Sequence, residues 1–134
     1  MTSRVVSDND DGTVTLAVET LDQGEIVITC PTWCGLSMHS ELGHRVDITH
    51  TSDPVELTVP TSIGPAVLLN LVFEQRPFTE SAPGRGVFVN VELQDDWHPC
   101  DPAQLDALAV GMVECATRLR SIARRLAILK ETGR

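Results

Sequence analysis

Four side chains in one short stretch have the chemistry of a metal site. The run reads Cys30-Pro31-Thr32-Trp33-Cys34-Gly35, with His39 after four intervening residues and His50 after ten more. Two thiolates and two imidazoles are the donor set that zinc favours in a tetrahedron. Two cysteines a few residues apart on a turn present both sulfurs to one ion; Pro31 restricts that turn and Gly35 frees the chain after it. The expected ligands are Cys30, Cys34, His39 and His50, and the expected cofactor is Zn2+. Four protein ligands leave no position for water or substrate, so such a site is structural. His44 is a further candidate that could replace either histidine, and Cys100, in His98-Pro99-Cys100, is another. The competing reading is a pair of buried thiols with solvent-facing histidines.

The spacing differs from that of the DNA-reading zinc finger, which separates the cysteine pair from the first histidine by about twelve residues and its histidines by three to five. Between Cys30 and His50 the one basic side chain besides histidine is Arg45, which leaves nothing to hold phosphates. The run Cys30-Pro31-x-Trp33-Cys34, then His39, then His50 followed by Ser52, resembles a family of small actinobacterial proteins of uncharacterised function. Those proteins carry Cys-Pro-x-Trp-Cys, an Asp-His pair and a later histidine before a Val-rich strand. The resemblance extends over most of residues 26–125, and Met38 stands where the family often has Asp. It implies the metal site, a β-rich middle and a Pro-capped helix, and it implies no reaction.

The elements around the cluster must position it. Residues 1–12 are polar and acidic and read as a flexible N-terminal segment. Thr13–Val18 alternates as a half-buried strand does, Asp22-Gln23-Gly24 is a turn, and Glu25–Thr29 returns the chain to Cys30. Residues 30–50 show no periodicity and read as a zinc loop, since a loop of that length in a small domain needs an organising reason. Val55–Val59 is a third strand. Ala66–Glu74 is a fourth, with Val67, Leu69, Leu71 and Phe73 on one face. In 87–93, Val87, Val89, Val91 and Leu93 are expected inward. Trp33 is expected to pack over the metal turn or the sheet. The fold class is therefore α+β: a small antiparallel sheet, a Cys/His loop and one long C-terminal helix over 102–130, with residues 13–134 forming a single domain.

Asp101-Pro102-Ala103-Gln104 opens that helix with an N-cap, a proline suited to the first turn and a capping-box glutamine. Leu105, Leu108, Met112, Cys115, Leu119, Ile122, Leu126 and Leu129 recur at heptad spacing. The first half is expected to lie on the sheet as an ordinary amphipathic helix. About 28 residues span roughly 42 Å, whereas a strand of this protein spans roughly 20 Å. The second half therefore overhangs, and its leucines are expected to meet a second copy of the chain or another protein.

Composition narrows the function. The chain has 134 residues, a net charge of −9 and no tyrosine. Residues 1–117 hold four basic and eighteen acidic side chains, a balance of −14, while residues 118–134 hold six basic and one acidic, a balance of +5. The acidic body argues against nucleic acid and anionic membranes, leaving the basic helix end as the one attractive surface. No apolar run is long enough for a membrane span, no secretory leader is visible, and the expectation is a cytoplasmic protein with reduced cysteines. No Gly-x-Ser-x-Gly, P-loop, dinucleotide fingerprint or His-Glu-x-x-His occurs. Asp95-Asp96-Trp97-His98 could build a small acid–base or metal site, but such a stretch is more commonly a solvated loop before a helix. The sequence thus supports a zinc-stabilised, non-catalytic interaction or accessory regulatory protein acting as a homodimer or through an unidentified partner. The alternatives are a nucleic-acid-associated regulator using the basic helix, and a metalloenzyme with a site near His98.

Overall fold

The protein is described here by a computed structural model covering residues 3–35, 39 and 42–133. Among the described residues, eight strands precede one long helix. They are β1 (Ser3–Asp8), β2 (Val14–Thr20), β3 (Gly24–Cys30), β4 (His50–Thr51), β5 (Val55–Thr61), β6 (Gly64–Gln75), β7 (Phe88–Leu93) and β8 (Asp96–Cys100), followed by α1 (Pro102–Thr132). The chain divides into two compact units, Met1–Pro99 and Cys100–Arg134.

The strands form two antiparallel sheets. β1, β2 and β3 make one in sequence order, and β4, β6, β7 and β8 make the other, with β5 also on β6. In the first sheet the ladder sets Val14 opposite Cys30, Leu16 opposite Ile28 and Val18 opposite Ile26. These residues share one face, and Leu16, Val18, Ile28 and Cys30 are buried on it, with Val14, Ile26, Cys34, Ile48 and Phe78 packed against them. Alternation put them there, because successive strand side chains point to opposite faces. Cys30 is thus a core residue by register as well as a possible ligand.

Within the N-terminal segment, whose composition suggested a flexible lead-in, Ser3–Asp8 form strand β1. β1 pairs with β2 from Ser3 opposite Val18 to Asp8 opposite Val14, with an irregularity between Val5 and Ser7. Its side chains are mostly exposed, so no buried face imposes an apolar alternation that the sequence could display. Backbone pairing and an Arg4–Glu25 ion pair at 3.1 Å hold it.

The second sheet corrects two expected faces. The β5–β6 register shifts between Leu57 and Thr58, so that Leu57 faces Leu69 and Thr58 faces Val67. Leu68 is the extra residue, and a bulge of this kind changes which face the following side chains occupy. Accordingly Val67 is 54% exposed while Leu69 is buried; Phe73, on the Leu69 face beyond the bulge, is nonetheless 46% exposed. Val72 and Glu74, on the opposite face, are buried as well. In β7, Val91 is buried, but so are Phe88 and Asn90 on the other face, while Val87 and Leu93 are exposed. This sheet buries positions on both faces, which a one-sided alternation pattern does not foresee.

Residues 95–98 are exposed, as expected, but they form a turn and the start of β8 instead of a loop. Gln94 and Asp95 both take positive φ, 53° and 66°, as the two-residue hairpin turn from β7 into β8 requires. The helix begins as its cap demands. The Asp101 side chain accepts from the Gln104 backbone N–H, and the Gln104 side chain accepts from the Asp101 N–H, both at 2.8 Å. At the other end Gly133 is left-handed at φ 70°, and its N–H donates to Leu129 O. No residue of α1 is buried; Leu105, Leu108, Gly111 and Met112 are half-buried, and Leu119, Ile122, Leu126 and Leu129 are exposed. Among the described residues no helix is long and apolar enough to cross a membrane.

Candidate metal centre

Cys30 closes β3, Cys34 follows the Pro31–Thr32–Trp33 turn, and His50 opens β4. The cluster therefore lies where the last strand of one sheet hands over to the first strand of the other. Each position has a structural cause. The Cys34 N–H donates to Pro31 O at 3.1 Å, closing the turn that returns the second sulfur toward the first. The Gly35 N–H donates to Thr51 O at 2.7 Å, pinning the turn to β4. A Cβ on Gly35 would sit 3.1 Å from Asp53 Oδ1 and 3.2 Å from Thr51 O, so any side chain here would crowd two oxygens. His50 is placed by pairing with Gln75, and Thr51 by pairing with Glu74.

Cys30 Sγ lies 3.3 Å from His39 Nε2, Cys34 Sγ lies 3.4 Å from the same nitrogen, and Cys34 Sγ lies 3.7 Å from His50 Nδ1. All four donor atoms fall within 4.8 Å of one another. A tetrahedral zinc with sulfur at about 2.3 Å and nitrogen at about 2.0–2.1 Å puts adjacent sulfur and nitrogen ligands about 3.6 Å apart. The observed separations therefore match the edges of such a tetrahedron. The two imidazoles meet edge to face, with centroids 5.2 Å apart and planes at 82°, so their ring nitrogens converge without stacking. Cys30, His39 and His50 are buried and Cys34 is half-buried. These four residues are positioned to bind a metal ion.

The electrostatics of the sulfur pair agree. The Cys34 thiol is pushed far down, first by its hydrogen bond with Cys30, with burial opposing and His39 and His50 adding to the effect. Cys30 is pushed up by the same hydrogen bond, by burial and by the charge on Cys34. One sulfur of the pair is thus a ready thiolate, the form in which cysteine binds metal.

Neither alternative ligand joins the group: it contains neither His44 nor Cys100. His44 is exposed on the wall of a cavity of about 360 Å³ beside His39, together with Val18, Ile48, Thr51 and Glu74. Among the described residues no comparable group forms around Asp96 or His98. Trp33 sits over Phe73 of β6, with ring centroids 6.3 Å apart, so it packs against the second sheet. Asp22 Oδ1 accepts from the Arg45 N–H at 2.9 Å, and the Arg45 guanidinium lies 3.8 Å over the Phe78 ring. These contacts fasten the return limb of the loop to the β2–β3 turn and to the core.

Sequence reasoning missed a set of buried polar residues on the second sheet: Thr51, Glu74 and Asn90, with Asn70 beside them. A signal was present, since Asn70 interrupts Leu69 and Leu71, and Asn90 interrupts Val89 and Val91.

Together these features define a class: a small α+β protein of antiparallel sheets and one long helix, with a two-cysteine, two-histidine cluster built to hold a metal. The chain belongs to DUF6907, a domain of unknown function whose family model matches residues 15–128. No curated protein and no solved structure matches the chain.

Proposed function

We propose that Cys30, Cys34, His39 and His50 hold one structural zinc ion, and that the protein is a non-catalytic interaction module of the cytoplasm. The convergence of four thiol and imidazole donors within 4.8 Å carries this reading. Zinc suits the donors better than calcium or magnesium, which take oxygen ligands, and mixed sulfur and nitrogen ligation at tetrahedral spacing is its characteristic shell. The ion would join β3 to β4 and so tie the two sheets through a loop that has little apolar anchorage of its own. Metal affinity in such a segment is folding free energy. With the shell filled by protein, the ion's work is structural and function falls to surfaces. The exposed second half of α1 is the surface we favour, pairing with the same helix of a second chain.

Elemental analysis of protein purified without added metal tests the centre. The expected result is one zinc per chain, lost in Cys34→Ser and retained in His44→Ala. Metal content near zero in the wild type, with both thiols titrating freely, would reduce the cluster to buried cysteines and histidines.

A further inference from the structure

The second sheet carries a cavity of about 540 Å³ that the Cys/His cluster does not use. Its floor is the β6–β7 face on which Asn70, Val72 and Glu74 alternate. The ladder sets Asn90 opposite Val72, so both carboxamides lie on that face. The walls add Thr51, Arg76 and Trp97. This size lies within the range of small-molecule sites, which are mainly apolar with a few convergent polar groups.

Two observations mark the cavity as built. Glu74, Thr51 and Asn90 are each at least nine-tenths buried, on strands where Val or Ile is the ordinary occupant. More tellingly, the Oδ1 atoms of Asn70 and Asn90 are shielded from solvent and have no hydrogen-bond partner among the described groups. Buried polar atoms of folded proteins are nearly always satisfied, and each exception needs a reason. Both residues line the cavity, and a ligand there completes these atoms once the two carboxamides turn toward it.

We propose that this cavity binds a small, uncharged, planar heterocycle of the nucleobase type. A carboxamide presents a donor beside an acceptor, and so does a base edge; the two match in a bidentate pair, whichever way the amide is turned. Charge complementarity is absent, because Glu74 is already paired with Arg76 at 3.1 Å. That leaves a neutral ligand as the better fit. Trp97, 43% exposed at the wall, offers an aromatic face to a flat ring.

Trp33 and Trp97 are the two tryptophans of the chain, so Trp33→Phe leaves Trp97 as the one indole emitter. Titrating that variant with adenine and with cytosine should give a saturable change in Trp97 fluorescence. 6-Dimethylaminopurine, which lacks the exocyclic donors, should bind about tenfold more weakly than adenine, as should adenine to the Asn90→Leu form. In the unaltered protein, the side-chain amide resonances of Asn70 and Asn90 should move on adding the base, a measurement that needs no further substitution. Absence of a saturable change at millimolar base would overturn the proposal. So would unmoved Asn70 and Asn90 amides, or undiminished binding by a folded Asn90→Leu protein.

Discussion

Gly35 shows how closely single residues set the metal turn. Its N–H bonds Thr51 O, and its missing side chain is what lets the turn reach β4. Gly35→Ala would force its Cβ against two oxygens at about 3.1 and 3.2 Å, one of them backbone and unable to swing away. We expect a loss of about 1–3 kcal/mol, in the range of overpacked sites, visible as a lower denaturant midpoint and as faster release of bound metal to a chelator. Asp22 works on the other limb. Its carboxyl is held below the ordinary carboxylate range, chiefly because it accepts the Arg45 N–H. A folded-state value below the unfolded one means the contribution is present above the unfolded value and lost as pH falls through the folded one. The Arg45 amide resonance should therefore titrate with a midpoint below that of a free aspartate. In Asp22→Asn that transition should be missing, and an unchanged Arg45 titration would show that another carboxylate is responsible.

At the scale of elements, α1 is the clearest case of a local rule carried into structure. Asp101 and Gln104 exchange hydrogen bonds at 2.8 Å each, and Pro102 occupies the first turn where its missing N–H costs nothing. Asp101→Ala removes one acceptor and leaves the first turn's N–H groups to water. The expected cost is about 1 kcal/mol of helix stability, read as a lower helical signal at 222 nm on heating, with the metal content unchanged. Asp101→Asn should recover most of the loss, because asparagine is an equally good cap; no difference between the alanine and asparagine forms would rule out the capping explanation. The strands obey less local rules. β1 and β4 are short or exposed, and their existence rests on the neighbours they pair with, β2 and β6.

For the molecule as a whole, the exposed half of α1 is the surface on which the proposed pairing can be tested. Leu119, Ile122 and Leu126 are each more than half exposed, and Leu129 is 37% exposed, along one heptad stripe. A stripe of this length is the pattern of a two-chain helical seam. Light scattering should give a dimer for the full chain and a monomer for a chain ending at Arg118; a monomeric full-length protein at high micromolar concentration would count against the seam. The same segment carries Arg118, Arg120, Arg124, Arg125 and Lys130. Any DNA binding by this basic end should be weak and should vanish near physiological salt, since only counterion release drives it and the rest of the chain is acidic. A gel shift that survives physiological salt and depends on sequence would overturn that expectation.

The sequence by itself determined the features that depend on residue type and short spacing. Donor chemistry named Cys30, Cys34, His39 and His50 before any geometry was known, and the capping box placed the start of α1. Alternation put Leu16, Val18 and Ile28 on one buried face. Only the tertiary structure decided whether the four donors meet, because His50 is held by a strand pairing with Gln75, twenty-five residues further on, and no local pattern encodes that distance. It also decided the second sheet's faces, where a single extra residue at Leu68 changes which side chains turn inward. The paired carboxamides of Asn70 and Asn90 were each visible as an interruption, but their convergence is set by the β6–β7 register. Register is a long-range property: it follows from which strands lie side by side, and that is settled by the packing of the whole sheet.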